Sequence, residues 1–173
     1  EFRRVLFRSR TFADAIDQNA GATPAYLHLG DVRESQGNLS GAIEAWEKLI
    51  DASPDRAYLA FERLERAYRA AGRPARFVEM CQRLIARNPQ DWRTRLALSR
   101  HLGEAGQARH ALALLMDALP YPPHGLSLHQ QIWHVLGQLN LEPALVEDYV
   151  SRARDAVFYL DPHVCTRCRY RST

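Results

Sequence analysis

Cysteine is scarce in this chain. There are three in 173 residues, and only Cys165 and Cys168 lie close together. So few thiols cannot form the disulfide framework that staples a small secreted domain. Lysine is scarcer still: Lys48 is the only one, and every other cation is arginine, which fits a GC-rich coding sequence and equally an arginine-lined binding surface. No stretch approaches 18 consecutive apolar residues, so nothing in the sequence given reads as a membrane-spanning helix. Catalytic signatures are missing as well. There is no Gly-x-Ser-x-Gly elbow, no phosphate-cradling glycine loop and no dinucleotide fingerprint. The seven histidines are scattered, and His129 and His134 stand five apart, not at the i, i+4 spacing of a helical zinc pair. The chain reads as a non-enzyme.

What is present is an ordinary globular composition, 46% apolar and 25% charged. The net charge of +3 points towards nucleic acid, but three of its arginines fall in the first nine residues, EFRRVLFRS. That segment resembles the translated end of a common sequencing adapter, and residues 1–9 are set aside as foreign. Without them the cations fall from 23 to 20 and the anions from 20 to 19. A nearly neutral segment lacks the clustered cationic face that phosphate binding requires, so no nucleic-acid partner is expected.

The informative feature is internal repetition. Gly37, Gly72 and Gly106 recur at spacings of 35 and 34 residues. Five residues after each stand Ala42, Phe77 and Ala111; four further on stand Trp46, Cys81 and Leu115; eight beyond those stand Pro54, Pro89 and Pro123. Each unit reads as two helices. Apolar residues such as Ala42, Ile43, Trp46, Leu49 and Ile50 are three and four apart, as one helical face requires. The glycine suits a left-handed helix stop and the proline an inter-repeat turn. Stepping 34 residues beyond Leu98, Leu102, Ala111 and Leu115 lands on Ile132, Leu136, Leu145 and Tyr149, which predicts a degenerate fourth pair.

Tyr26, Leu29, Gly30, Gly37, Ala42, Trp46 and Pro54 resemble the signature of the tetratricopeptide repeat family. Glu65 and Ser99 depart from it at the small-residue place held by Gly30, Phe77 replaces alanine, and Arg33 replaces an aromatic. The expected fold is all-α, a tetratricopeptide-type solenoid of helical hairpins. A partial helix is expected over 10–22, repeats over about 23–56, 57–90 and 91–124, and the degenerate pair over 127–159, closing an array of residues 10–160. The resemblance implies a concave face built from the first helix of each pair. In register, that face takes Leu27, Asp31 and Glu34, then Glu62, Arg66 and Arg69, then Arg93, Leu96 and Arg100. Arg66, Arg69, Arg93 and Arg100 either form a fork-donor cluster for an acidic segment or pair with Glu62, Glu65 and Glu104 along solvated helices.

The last residues break the pattern. Asp161-Pro162-His163 stops the helix, and Cys165-Thr166-Arg167-Cys168 follows, the spacing of half a zinc-ribbon or rubredoxin knuckle. Residues 161–173 are expected to be the first half of such a knuckle; a redox pair and an incidental pair of thiols are the alternatives. Repeats joined directly to Asp-Pro-His-Val-Cys-x-x-Cys resemble the lipopolysaccharide assembly protein B family of bacteria. That resemblance implies an inner-membrane adaptor facing the cytoplasm, anchored outside these residues, that presents the lipid A deacetylase to a membrane AAA+ protease. It also implies zinc or iron in the full-length protein, with Cys165 and Cys168 as one ligand pair and an incomplete site here. The generic alternative is a bacterial repeat scaffold that binds an acidic peptide and carries an unrelated thiol tail.

Overall fold

The computed structural model describes residues 11–12, 14–16, 22–121 and 125–157, and all regular structure among them is helical. Cys165, Cys168 and the rest of the expected knuckle lie outside the described residues, as do residues 1–9. The helices are α1 (Thr23–Ser35), α2 (Leu39–Ala52), a 3-10 turn (Pro54–Leu59), α3 (Phe61–Ala70) and α4 (Ala75–Arg87). They continue with α5 (Trp92–Glu104), α6 (Ala108–Met116), α7 (Leu126–Gln138) and α8 (Pro143–Val157). Short helical pieces at 11–12 and 14–16 stand where the partial first helix is expected. The chain divides into two compact units, Glu1–Arg87 and Asn88–Thr173, and each holds two hairpins.

The first three hairpins close by the same turn. Gly37, Gly72 and Gly106 have φ of 75°, 69° and 75°, the left-handed region that favours glycine. The next amide reaches back five residues to close the helix end: Asn38 to the Arg33 carbonyl (2.9 Å), Arg73 to Tyr68 and Gln107 to Leu102 (2.8 Å each). The fourth hairpin makes the same bond, Leu141 to Leu136 at 2.8 Å, but Asn140 takes the glycine's place at φ 56° and Leu141 is left-handed as well, at φ 50°. Asparagine is the side chain that tolerates this conformation best. A 34-residue step from Gly106 lands on Asn140, so the signal was available to a search not restricted to glycine. Helix starts are fixed locally too. Asn38 caps α2 by accepting from the Gly41 amide (2.9 Å), and Asp91 caps α5 by accepting from the Arg93 and Thr94 amides.

In the first unit the core is Tyr26, Leu29, Trp46, Leu49, Phe61, Leu64, Tyr68, Phe77 and Cys81, all buried. Trp46 lies against the backbone of α1 and donates its indole N–H to the Leu27 carbonyl at 3.3 Å. A Cβ built on Gly30 would stand 2.1 Å from Trp46 Nε1, so only glycine fits there. The departures seen in sequence are explained by this contact. In the register of Gly30 and Trp46 the second hairpin has Glu65 and the smaller Cys81, and its aromatic stands one turn earlier at Phe77, which packs edge-on against Phe61 at 6.3 Å. In the second unit the corresponding residues are Ser99 and Leu115, both buried, and the Ser99 hydroxyl is satisfied by the Leu96 carbonyl at 2.8 Å. In the fourth hairpin Trp133 takes the glycine's place and meets Tyr149 edge-on at 5.5 Å. The two helices lie closest in the Gly30 hairpin, next closest in the Ser99 hairpin, and further apart where Glu65 or Trp133 intervenes.

One buried residue runs against the pattern. Arg95 holds the place of Tyr26 and Phe61 and is 6% exposed. Its Nη1 donates to the Pro89 carbonyl at 2.6 Å, while Nε has no partner among the described residues.

Two stability outcomes follow from these contacts. Gly30→Ala is expected to cost about 1–3 kcal/mol by overpacking, and Trp46→Leu in the same chain to recover part of that loss, read as coupling in a urea double-mutant cycle. The second concerns Tyr68, which is buried and donates to Glu47 Oε1 at 2.5 Å. Burial first, and the Glu47 carboxylate second, hold its phenol protonated well above the usual range. The folded pKa therefore exceeds the unfolded one, so this contribution is complete below pH about 10 and is lost as pH rises further. Tyr68→Phe is expected to cost about 1 kcal/mol at pH 8 and to remove a slope of about 1.4 kcal/mol per pH unit above pH 10, read by urea unfolding at each pH.

Candidate functional site

The first helices carry most of the expected partner-binding residues. In the first unit, α1 presents Leu27 and Asp31 half-buried, and α3 presents Arg66 and Arg69 exposed. Their charges are largely spent on each other. Arg63 grips Asp31 through two bonds, Nε to Oδ1 at 2.6 Å and Nη2 to Oδ2 at 3.1 Å. Arg66 meets Glu34 at 2.9 Å and Arg69 meets Glu65 at 3.2 Å. Arg33, where the repeat signature has an aromatic, donates to the Gly41 carbonyl at 2.9 Å and ties α1 to the start of α2. The Asp31 hydrogen bond also holds the Arg63 proton more tightly than usual. Arg66 and Arg69 thus follow the alternative in which the arginines are paired along solvated helices, although the acid paired with Arg66 is Glu34 of the preceding hairpin. Sequence reasoning missed Arg63, whose i, i+3 relation to Arg66 on the same face was the available signal.

The second unit is different. Arg93 is exposed and lies over the Trp92 ring, 4.7 Å from its centroid. Arg100 is exposed and has no ion-pair partner among the described residues. Leu96 is a correction to the expected binding face. It is 8% exposed, although Arg93 and Arg100, three residues before it and four after it on the same side of α5, are exposed. The signature residues behave as scaffold: Gly37, Gly72 and Gly106 make turns, Ala42, Trp46, Phe77 and Ala111 are buried, and Pro54 opens the 3-10 turn. Pro89 lends its carbonyl to Arg95.

Two shallow cavities accompany these faces. One, of about 230 Å³, lies between α6 and α8 over Leu112, Met116 and Leu145. The arginines at its rim are already matched, Arg109 to Glu142 at 2.6 Å and Arg152 to Asp148 at 2.8 Å. The other, of about 380 Å³, is lined by Phe12, His28, Asp31, Val32 and Ser35. Among the described residues, no group of three or more His, Cys, Asp or Glu could hold a metal ion, and no helix is long and apolar enough to cross a membrane.

A sequence profile described as Tetratricopeptide repeat matches residues 9–57 and, in an overlapping register, 27–91. The chain is a tetratricopeptide repeat protein, an all-α array of the kind that serves as a protein-binding scaffold. Among solved structures, a crystal structure of MamA aligns with a TM-score of 0.53 at 17% identity, over 87% of each chain. MamA from residue 41 to its end, from Desulfovibrio magneticus RS-1, aligns with a TM-score of 0.52 at 14% identity, over 92% of each chain. At such identities the likeness is one of fold. A search of functionally curated proteins gave no significant match.

The Asp31–Arg63 pair is bidentate but half exposed, so a double-mutant cycle with Asp31→Asn and Arg63→Gln is expected to give a coupling of about 0.5–1 kcal/mol that shrinks in high salt. Urea unfolding of the four proteins at two salt concentrations measures it.

Proposed function

We propose that this chain is the repeat portion of a non-enzymatic adaptor of the lipopolysaccharide assembly type, which brings a lipid A deacetylase to a membrane AAA+ protease. The observation that carries the scaffold role is the two-sided character of each first helix. One side supplies core side chains such as Leu29, Leu64 and Leu98, and the other turns charged and polar side chains outward. Repeat arrays of this kind bind protein segments along the outward sides of their first helices. The more specific reading is supported by the junction of the repeats with Asp161-Pro162-His163-Val164-Cys165-Thr166-Arg167-Cys168. In that reading the two thiols provide half of a zinc or iron site in the full-length protein, and the protein works at the cytoplasmic face of the inner membrane.

Titration of the chain with a purified bacterial lipid A deacetylase, and separately with the soluble domain of the membrane protease, tests the reading. Saturable binding to at least one is expected, with no change in the chain's covalent structure. No binding to either removes the lipopolysaccharide role and leaves a scaffold for other proteins. The second reading, a scaffold for an acidic segment, is favoured by the unpaired Arg100.

A further inference from the structure

We infer that the exposed face of α8 pairs antiparallel with the same face of a second copy of this chain, with Glu147 of each copy against Arg154 of the other. The surface is separate from the outward sides of the first helices, and the inference goes beyond the adaptor reading. The residues of α8 divide by side. Leu145, Asp148 and Arg152 line the cavity shared with α6, and there Asp148 and Arg152 pair with each other at 2.8 Å. On another side Tyr149 and Ala153 are buried, Tyr149 against Trp133 of α7. The third side carries Pro143, Glu147, Val150 and Arg154, all exposed, with Val146 half-buried among them.

That third side repeats a surface that is covered elsewhere. Val146 and Val150 stand 34 residues after Leu112 and Met116, which are buried in α6, a helix that packs against α7. The same place in the first unit is Glu47, whose carboxylate accepts the Tyr68 hydroxyl of the next hairpin. In the last described hairpin Val150 is 54% exposed. Pro143, Val146, Val150 and Ala153 follow one another at spacings of three, four and three, the seam along which two helices interlock. Short side chains along such a seam let the two axes lie close together.

The charges beside the seam select the occupant. Glu147 and Arg154 stand seven residues apart, about 10 Å along the axis, and neither has an ion-pair partner among the described residues. That distance is too great for them to meet within one helix. In a parallel pair each would lie beside its own counterpart, like charge on like charge. In an antiparallel pair about a two-fold axis near residues 150 and 151, each acid lies opposite the other copy's arginine, and both contacts form together. Val150 of the two copies then meets at the centre. The order acid, apolar centre, base thus complements itself. Charges bordering a helical seam set partner and orientation, and a partner segment of one sign would satisfy only one of the two.

Sedimentation equilibrium of the full chain tests the proposal, with thiols kept reduced so that Cys165 and Cys168 cannot link copies. A dimer is expected with a Kd on the order of 50 µM, as a small contact of two helices gives. Glu147→Arg and Arg154→Glu, each checked for helix content by circular dichroism, are each expected to weaken it about tenfold. Val150→Asn, which keeps every charge, is expected to weaken it by about the same factor. The two charge variants mixed in equal amounts are expected to associate with each other at least as tightly as the unaltered chain does. Both exchanges in one chain are expected to restore the dimer to within about twofold. A chain that stays monomeric at about ten times that concentration overturns the proposal; slow α8 amide exchange in such a monomer assigns the face to residues 158–173 instead. A dimer undiminished in Glu147→Arg, or charge variants that do not associate when mixed, also overturns it. None of these outcomes bears on binding of the deacetylase or the protease domain.

Discussion

The size of one residue on the inner side of each first helix governs how near the second helix can lie, and much of the remaining packing follows from it. At Gly30 there is no side chain, so Trp46 rests on the backbone of α1 and its indole N–H finds the Leu27 carbonyl. The corresponding pair in the third hairpin is Ser99 and the smaller Leu115. In the second it is Glu65 and Cys81, and the aromatic bulk stands one turn earlier along α4 at Phe77, where Phe61 receives it. Trp133 goes furthest. It props α7 and α8 apart and meets Tyr149 ring to ring, with nearly half of its own surface left in solvent. Interiors packed to crystal-like density do not accept extra atoms, so each enlargement on one helix has to be matched by a reduction or a shift on the other.

A second constraint is electrostatic. A nearly neutral surface rich in arginine can place its charges in two ways, as pairs within the chain or as donors held open. Helices α1 and α3 of the first unit take the first course: Asp31, Glu34 and Glu65 each engage an arginine, two of them across successive hairpins. Exposed pairs of this kind contribute little to stability, but they remove the cation from competition for other anions. The α5 helix of the second unit takes the other course, with Arg100 left open, next to a helix whose outward face carries amides and an imidazole and no charge.

Much of the fold was legible from the sequence because its signals are local. A glycine in a left-handed turn, a proline at an inter-repeat turn and apolar residues at helical spacing announce themselves wherever they stand. Their recurrence at 34 or 35 residues gave the hairpins without any contact being known. The fourth turn was half hidden, since Asn140 does a glycine's work. The binding face was less legible. Arg66 and Arg100 look alike in sequence, and Leu96 falls in register with outward residues although it is buried.

The sequence by itself determined the helical hairpins, their order and their turns, since each depends on residues within a few positions of one another. Only the tertiary structure decided which arginines are spoken for and how closely each hairpin shuts. Arg63 and Asp31 are 32 residues apart, and Gly30 and Trp46 are 16 apart on different helices. Such pairs meet only after the backbone has brought the helices side by side. Until then an ion pair and an open cation, or a close contact and a gap, are written with the same letters.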